Sequence, residues 1–187
     1  MEFTPTKLPG VTIIRPDVFA DARGFFLETY HAEKYARGGI KAHFVQDNHS
    51  RSIKGTIRGM HAQRRHPQDK LVRVLAGRIF DVVADIRPES PTYLKWISVE
   101  LSAENFLQLY VPRGFAHGIG VLSEYAEIEY KCTDFYNPDD EIRIIWNDPS
   151  IGIKWPIENP IVSPKDLEAR ALADQPGLLA GLREIAS

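Results

Sequence analysis

The run KLVRVLAGRIFDVVADIR, residues 70–87, is the clearest element of the chain. Two stretches rich in β-branched residues meet at Ala76-Gly77. β-Branched side chains are stiff and pack well on a pleated surface, and a glycine between two such runs marks a turn. The pattern therefore predicts two strands joined as a hairpin. Alternation puts Lys70 on the same face as Val72 and Val74. A lysine that opens a strand commonly lays its stem along apolar neighbours and ends in water. The functional reading is an ammonium aimed into a pocket.

Working outward, further short runs of the same kind follow one another. They are VTIIRPDVF (11–19), HFVQDNHS (43–50), GTIRGMHAQ (55–63), KWISVELS (95–102), FLQLYVP (106–112), HGIGVLS (117–123), EIEYKCT (127–133) and EIRIIW (141–146). About ten short strands separated by turn residues predict an all-β sandwich or barrel. HAEKYARGG (31–39) reads as one short helix stopped by paired glycines. From Ser163 the pattern changes: Ser163-Pro164 is a good N-cap and first-turn pair, and helix formers continue to Leu172. Pro176-Gly177 breaks that helix, and GLLAGLREIA (177–186) predicts another. The chain reads as one domain over residues 1–187, all-β with short peripheral helices and a helical tail over about 163–187.

Composition narrows the function classes. With 187 residues, 43% hydrophobic and 26% charged, the chain matches a soluble globular protein with a sizeable core. Its net charge is −2 and it has no basic block, so it lacks the electrostatic footprint of a nucleic-acid binder. A small anionic ligand needs only a local group of Arg and Lys. The single cysteine, Cys132, excludes an internal disulfide, and no run approaches the length of a membrane span. The N-terminal stretch has no long apolar segment of the signal-peptide kind, and a reducing cytoplasm is the expectation.

Individual polar residues raise questions. In EIEYKCT, Tyr130 shares a face with Ile128 and Cys132 and points into the apolar interior, as a core tyrosine with a partner for its hydroxyl also would. In IRGMHAQ (57–63), strict alternation puts Arg58 and His61 on opposite faces. For both to reach one pocket, Gly59 must break the pleat, as glycine inside a strand often does. Pro112-Arg113-Gly114-Phe115-Ala116-His117 resembles the P-x-G-x-x-H signature of cupins, which are jelly-roll β-barrels. Aligned on His61, the upstream cupin motif has Gln63 and Gln68 in two of its four ligand positions. Amide oxygens are weak ligands for transition metals. The expectation is a cupin-type jelly-roll barrel without metal or other cofactor.

A narrower resemblance covers Val11 to Asp166 in one register. It runs through DARGFFLE (21–28), FVQDNHS (44–50), RGMH (58–61), KLVRV (70–74), LSAEN (101–105) and GFAHG (114–118). It ends in Tyr130-Lys131, FYNP (135–138) and WNDP (146–149). Together, in order, these pieces resemble the nucleotide-sugar 3,5-epimerases of the dTDP-4-dehydrorhamnose type. The family's substrate is a 4-keto-6-deoxy sugar on a nucleoside diphosphate. Its ketone acidifies the C–H bonds at C3 and C5. Epimerisation then needs a base on one side of the ring, an acid on the other and a stabiliser for the enolate between them.

The resemblance implies the parts. His61 matches the base, Asp166 the carboxylate that orients it, Lys70 the cation beside the enolate oxygen and Tyr130 the acid on the far face. Arg23, Arg58 and Lys165 match partners of the diphosphate or nucleotide. Glu28, Gln46, Asp47, Asn48 and Glu141 match polar contacts to base and sugar. Tyr136 matches an aromatic that stacks on thymine, His117 a sugar-pocket histidine, and Phe19 a residue that closes the site. Read singly, Arg23 is a solvated turn residue with Glu28 as surface partner, Tyr136-Asn137-Pro138 is a turn, and His117 is a core histidine. Read as an ordered set, they point to function. The resemblance also implies a homodimer that exchanges a β-segment, for which VTIIRPDVF is the candidate.

Ala62 and Ile119 depart from the family, which commonly carries aromatics at both positions, and both changes remove bulk expected near the pocket. They leave open an enzyme that acts at C3 alone or C5 alone, or on a related nucleotide sugar. The competing readings are a metal-dependent cupin isomerase or dioxygenase using His61 and His117, and a non-catalytic sugar-binding barrel.

Overall fold

The structure is a computed structural model and describes residues 1–180 and Leu182. Its strands in chain order are β1 (Glu2–Pro5), β2 (Thr12–Arg15), β3 (Val18–Asp21), β4 (Gly24–Leu27), β5 (Gln46–Ile53), β6 (Thr56–Gln63) and β7 (Lys70–Ala76). There follow β8 (Arg78–Asp85), β9 (Trp96–Ser102), β10 (Gln108–Val111), β11 (Phe115–Val121), β12 (Tyr125–Cys132), β13 (Glu141–Arg143) and β14 (Ile161–Val162). The helices are α1 (Ala32–Arg37) and α2 (Pro164–Leu167).

Two antiparallel sheets face each other in the expected jelly-roll arrangement. The first has the order β1-β2-β10-β7-β12-β5 and the second β13-β6-β11-β8-β9, with β14 added in parallel to β6. Strands β3 and β4 pair only with each other. The inner core lies between the sheets: Val72, Val74, Leu109 and Ile128 from the first meet Ile79, Val83, Leu101 and Ile119 from the second. A second cluster covers the outer face of the second sheet, where Met60, Val82, Ala84 and Ile142 pack under Ile151, Ile153 and Leu182. Strand β8 is thus buried on both faces, which is why it reads as a nearly continuous apolar run.

The expected hairpin over 70–87 does not form. Strand β7 lies between β10 and β12 in the first sheet, and β8 between β11 and β9 in the second. Gly77, with φ +75°, is the corner at which the chain passes from one sheet to the other. A Cβ there would collide with the Tyr125 carbonyl oxygen. Two β-rich runs joined by a glycine look alike whether the strands fold back or change sheets. The stretch 11–19 also differs from its reading as one strand. Pro16 has no N–H for the ladder and divides it into β2, which joins the first sheet, and β3, which does not.

The helix expected over 163–172 is cut to one turn. Ser163 caps it as expected, its hydroxyl accepting from Asp166 N at 3.2 Å. The chain then returns to strand-like pairing, with Arg170 O accepting from Ile145 N at 3.2 Å. The helix expected over 177–186 falls partly outside the described residues, and 176–180 form turns. Among the described residues, no helix is long and apolar enough to cross a membrane.

Candidate active site

The site begins with a flaw in the pleat of β6. His61 lies opposite His117 on β11, whereas Arg58 lies opposite Ile119, so β6 carries one residue more than β11 over the same interval. The extra residue is accommodated at Gly59, whose φ is +119°. A Cβ there would stand 2.7 Å from both Gly118 Cα and the His117 carbonyl oxygen. Only glycine fits, and the bulge turns Arg58 and His61 towards one cavity, as the sequence requires.

That cavity has a volume of about 410 Å³. The second sheet contributes Arg58, His61, His117, Ile119 and Glu141, and the first contributes Lys70 and Tyr130. Lys165 and Asp166 come from α2, and Tyr136 from the loop after β12. A side lobe of about 240 Å³ shares His61, Lys70 and Tyr130 and adds Gln46 and Asn48. Gln46 ties the lobe together: its amide nitrogen donates to Asn48 Oδ1 at 2.9 Å and its Oε1 accepts from Tyr136 N at 3.0 Å.

The four proposed catalytic side chains therefore converge. His61 Nε2 lies 2.6 Å from Asp166 Oδ1. Burial pushes the Asp166 carboxyl up, but the hydrogen bond and charge of His61, the Ser163 hydroxyl and the Gly59 N–H outweigh it and hold it below the usual carboxylate range. An ionised carboxylate only accepts, so His61 carries its proton on Nε2 and its lone pair on Nδ1. Lys70 is pushed down by burial, against the charges of Cys132, Asp81 and Glu141. Burial pushes the Tyr130 phenol up, which keeps it a proton donor. His61 and Tyr130 belong to opposed sheets, so they reach the cavity from different walls. A base, an acid and a cation around one apolar-floored space can move a proton across a planar enolate.

Four residues of the expected binding set line neither space. Arg23 and Asp21 form an exposed pair at 2.6 Å on the β3–β4 hairpin, which also carries Phe19. Glu28 pairs with Lys34 at 2.8 Å and Asp47 with Lys131 at 2.9 Å. The departures from the family pattern divide as well. Ile119 lines the cavity. Ala62 borders the side lobe, yet its methyl packs in the outer cluster with Met60 and Ile142, so the space left by an aromatic there is taken up partly outside the pocket.

The two amides at former ligand positions serve the backbone. Gln63 Nε2 donates to the carbonyls of His66 at 2.7 Å and Phe135 at 3.2 Å, and Gln68 Nε2 to that of Asp134 at 2.7 Å. Both cavity histidines have Nε2 against a carboxylate, His117 on Asp81 at 2.8 Å. Among the described residues, no group of three His, Cys, Asp or Glu side chains is arranged to hold a metal ion. Sequence reasoning missed Asp81, Ser50, Arg143 and Ser163. Asp81 had a signal, a carboxylate inside an apolar strand. The others show only through the fold.

Comparison with known proteins identifies the family. The sequence pattern of the dTDP-4-dehydrorhamnose 3,5-epimerase family matches residues 5–174. The dTDP-4-dehydrorhamnose 3,5-epimerase of Salmonella typhimurium is 52% identical over 170 residues, covering 89% of this chain and 93% of that protein. That of Shigella flexneri is 48% identical over 176 residues, 93% of this chain and 97% of that protein. A crystal structure of the dTDP-6-deoxy-D-glucose-3,5-epimerase of Legionella pneumophila, in complex with dTDP-4-keto-L-rhamnose, superposes with a TM-score of 0.92 at 47% identity, over 95% of this chain and 96% of that one. The chain belongs to the dTDP-4-dehydrorhamnose 3,5-epimerase family.

Proposed function

We propose that the protein epimerises C3 and C5 of a dTDP-4-keto-6-deoxyhexose, converting dTDP-4-dehydro-6-deoxyglucose to dTDP-4-dehydrorhamnose without a cofactor. One observation carries this reading: the His61–Asp166 pair at 2.6 Å opens into the same cavity as Lys70 and Tyr130. His61 removes the proton beside the ketone. The C–H electron pair forms the C=C bond, and the carbonyl electrons move onto the C4 oxygen. The Lys70 ammonium stabilises that oxygen. Tyr130 returns a proton to the opposite face, the enolate collapses to the ketone, and the two groups reset through solvent. Arg58 and Lys165 bind the diphosphate, and Tyr136, 47% exposed at the rim, stacks on the thymine.

The protein acts as a homodimer in the cytoplasm. The β3–β4 hairpin supports the dimer, because it presents Phe19, Phe25 and Phe26 at 64%, 60% and 69% exposure. An apolar patch of this kind marks an interaction surface. Seated on a second copy, the hairpin brings Phe19 and Arg23 to the partner's cavity. The deciding experiment incubates the protein with dTDP-4-keto-6-deoxyglucose in D₂O and reads the label by position. Deuterium at both C3 and C5 is expected; label at one carbon alone makes it a mono-epimerase, and none at either rejects catalysis.

A further inference from the structure

Strand β8 carries a carboxylate where its pattern calls for an apolar side chain. Asp81 lies between Ile79 and Val83, both members of the inner core, and alternation turns all three inward. It is completely buried. Oδ1 lies 2.8 Å from His117 Nε2, and the equally buried Oδ2 has no hydrogen-bond partner. Asp81 does not line the cavity, whereas His117 and Lys70 do. It stands behind the wall, in the relation to His117 that Asp166 has to His61.

A buried carboxylate is costly unless donors or positive charge surround it. His117 supplies a donor to Oδ1, and Oδ2 keeps none.

We infer that Asp81 is a positioning residue of this site: it holds the His117 ring with Nε2–H towards β8 and Nδ1 free. The inference rests on the epimerase reading above, but part of its test does not.

Asp81→Asn keeps the shape and removes the charge. With the enzyme and its 4-keto substrate in D₂O, kcat is expected to fall about 10- to 100-fold, with KM changed by less than about threefold. Independently of turnover, ¹⁵N NMR of the ring is expected to show the His117 proton leaving Nε2 in Asp81→Leu, which has no acceptor for it, and staying there in Asp81→Asn, whose amide oxygen still accepts. If the proton stays on Nε2 in Asp81→Leu, the inference is wrong, whatever happens to the rate. If the parent labels no substrate while the tautomer still responds, the epimerase reading fails and the positioning role of Asp81 stands.

Discussion

The cavity wall formed by β6 and β11 and the hairpin formed by β3 and β4 are opposites. The wall is buried, crossed by ladder pairs on both sides, and fixed by a bulge that admits only glycine at position 59. The hairpin pairs with nothing else, exposes its apolar residues and touches its own body through Phe25 on Phe106, with ring centroids 4.8 Å apart. Yet each carries residues expected to serve one substrate. The wall holds His61, the proposed base, while the other proposed catalytic residues come from the facing sheet and α2. Binding groups of the same ordered set sit on an element that this chain leaves unsupported. Seven of the eleven residues of the expected binding set line the two spaces, and two, Phe19 and Arg23, lie on the hairpin, which the proposed dimer would seat on a second copy.

The sharpest break of this comparison is His61→Asn. It removes the base and leaves the wall, so deuterium incorporation is expected to fall by at least roughly 10³-fold, with the fold retained and the melting temperature lowered only by the share that the His61–Asp166 pair contributes. Residual exchange near the parent rate would mean that another group removes the proton. Next comes a matched pair of glycines. Gly59→Ala places a Cβ against Gly118 and the His117 carbonyl, and is expected to cost about 2–4 kcal/mol of stability and most of the activity. Gly24→Ala on the hairpin also has a positive φ, +130°, but meets nothing within 4 Å, so backbone strain of about 1–2 kcal/mol is expected without a clash. Equal losses in denaturant titrations would erase the contrast.

A third test uses acid. The folded protein holds the Asp166 carboxyl below its unfolded range, so the stability from the His61–Asp166 pair is fully present above the ordinary carboxylate pKa. It is lost as pH falls through the lower folded value. Melting temperature measured between neutral and strongly acid pH should therefore fall less steeply for Asp166→Asn than for the parent. Parallel curves would mean that the pair does not couple to folding.

How much of this was legible depends on what the sequence encodes locally. Strand alternation placed Lys70 and Tyr130 inward, and Gly59 marked the bulge that brings Arg58 and His61 together. These are pleat-level facts, carried by adjacent residues. The path of the chain at Gly77 was not legible, because a hairpin and a sheet change need the same punctuation. Pro16 carried a readable signal, a missing donor, that separates β3 from β2. Asp81 stood out only as a carboxylate in an apolar run, and its partner lies 36 residues away on another strand. Arg143 and Ser163 reach the cavity through β13 and α2, whose docking no local pattern announces.

The smallest expected effect decides where the hairpin works. Arg23→Ala removes an exposed guanidinium whose partner within its own chain is Asp21. If the hairpin serves a site, KM for the nucleotide sugar rises about tenfold with kcat nearly unchanged, since the lost contact binds substrate and transition state alike. Co-expression with His61→Asn then locates that site. In a mixed dimer the Arg23→Ala subunit retains His61 and receives Arg23 from its partner, so some sites recover the parent KM. If each hairpin served its own chain, every mixed dimer would hold one site without Arg23 and one without His61, and no site would recover. Mixed dimers isolated with a different tag on each subunit are free of the Arg23→Ala homodimer, and the two outcomes then differ in whether they show the parent KM or the raised one. The same preparation run on a sizing column reports whether Arg23→Ala leaves the assembly intact, which separates a lost contact from a lost partner.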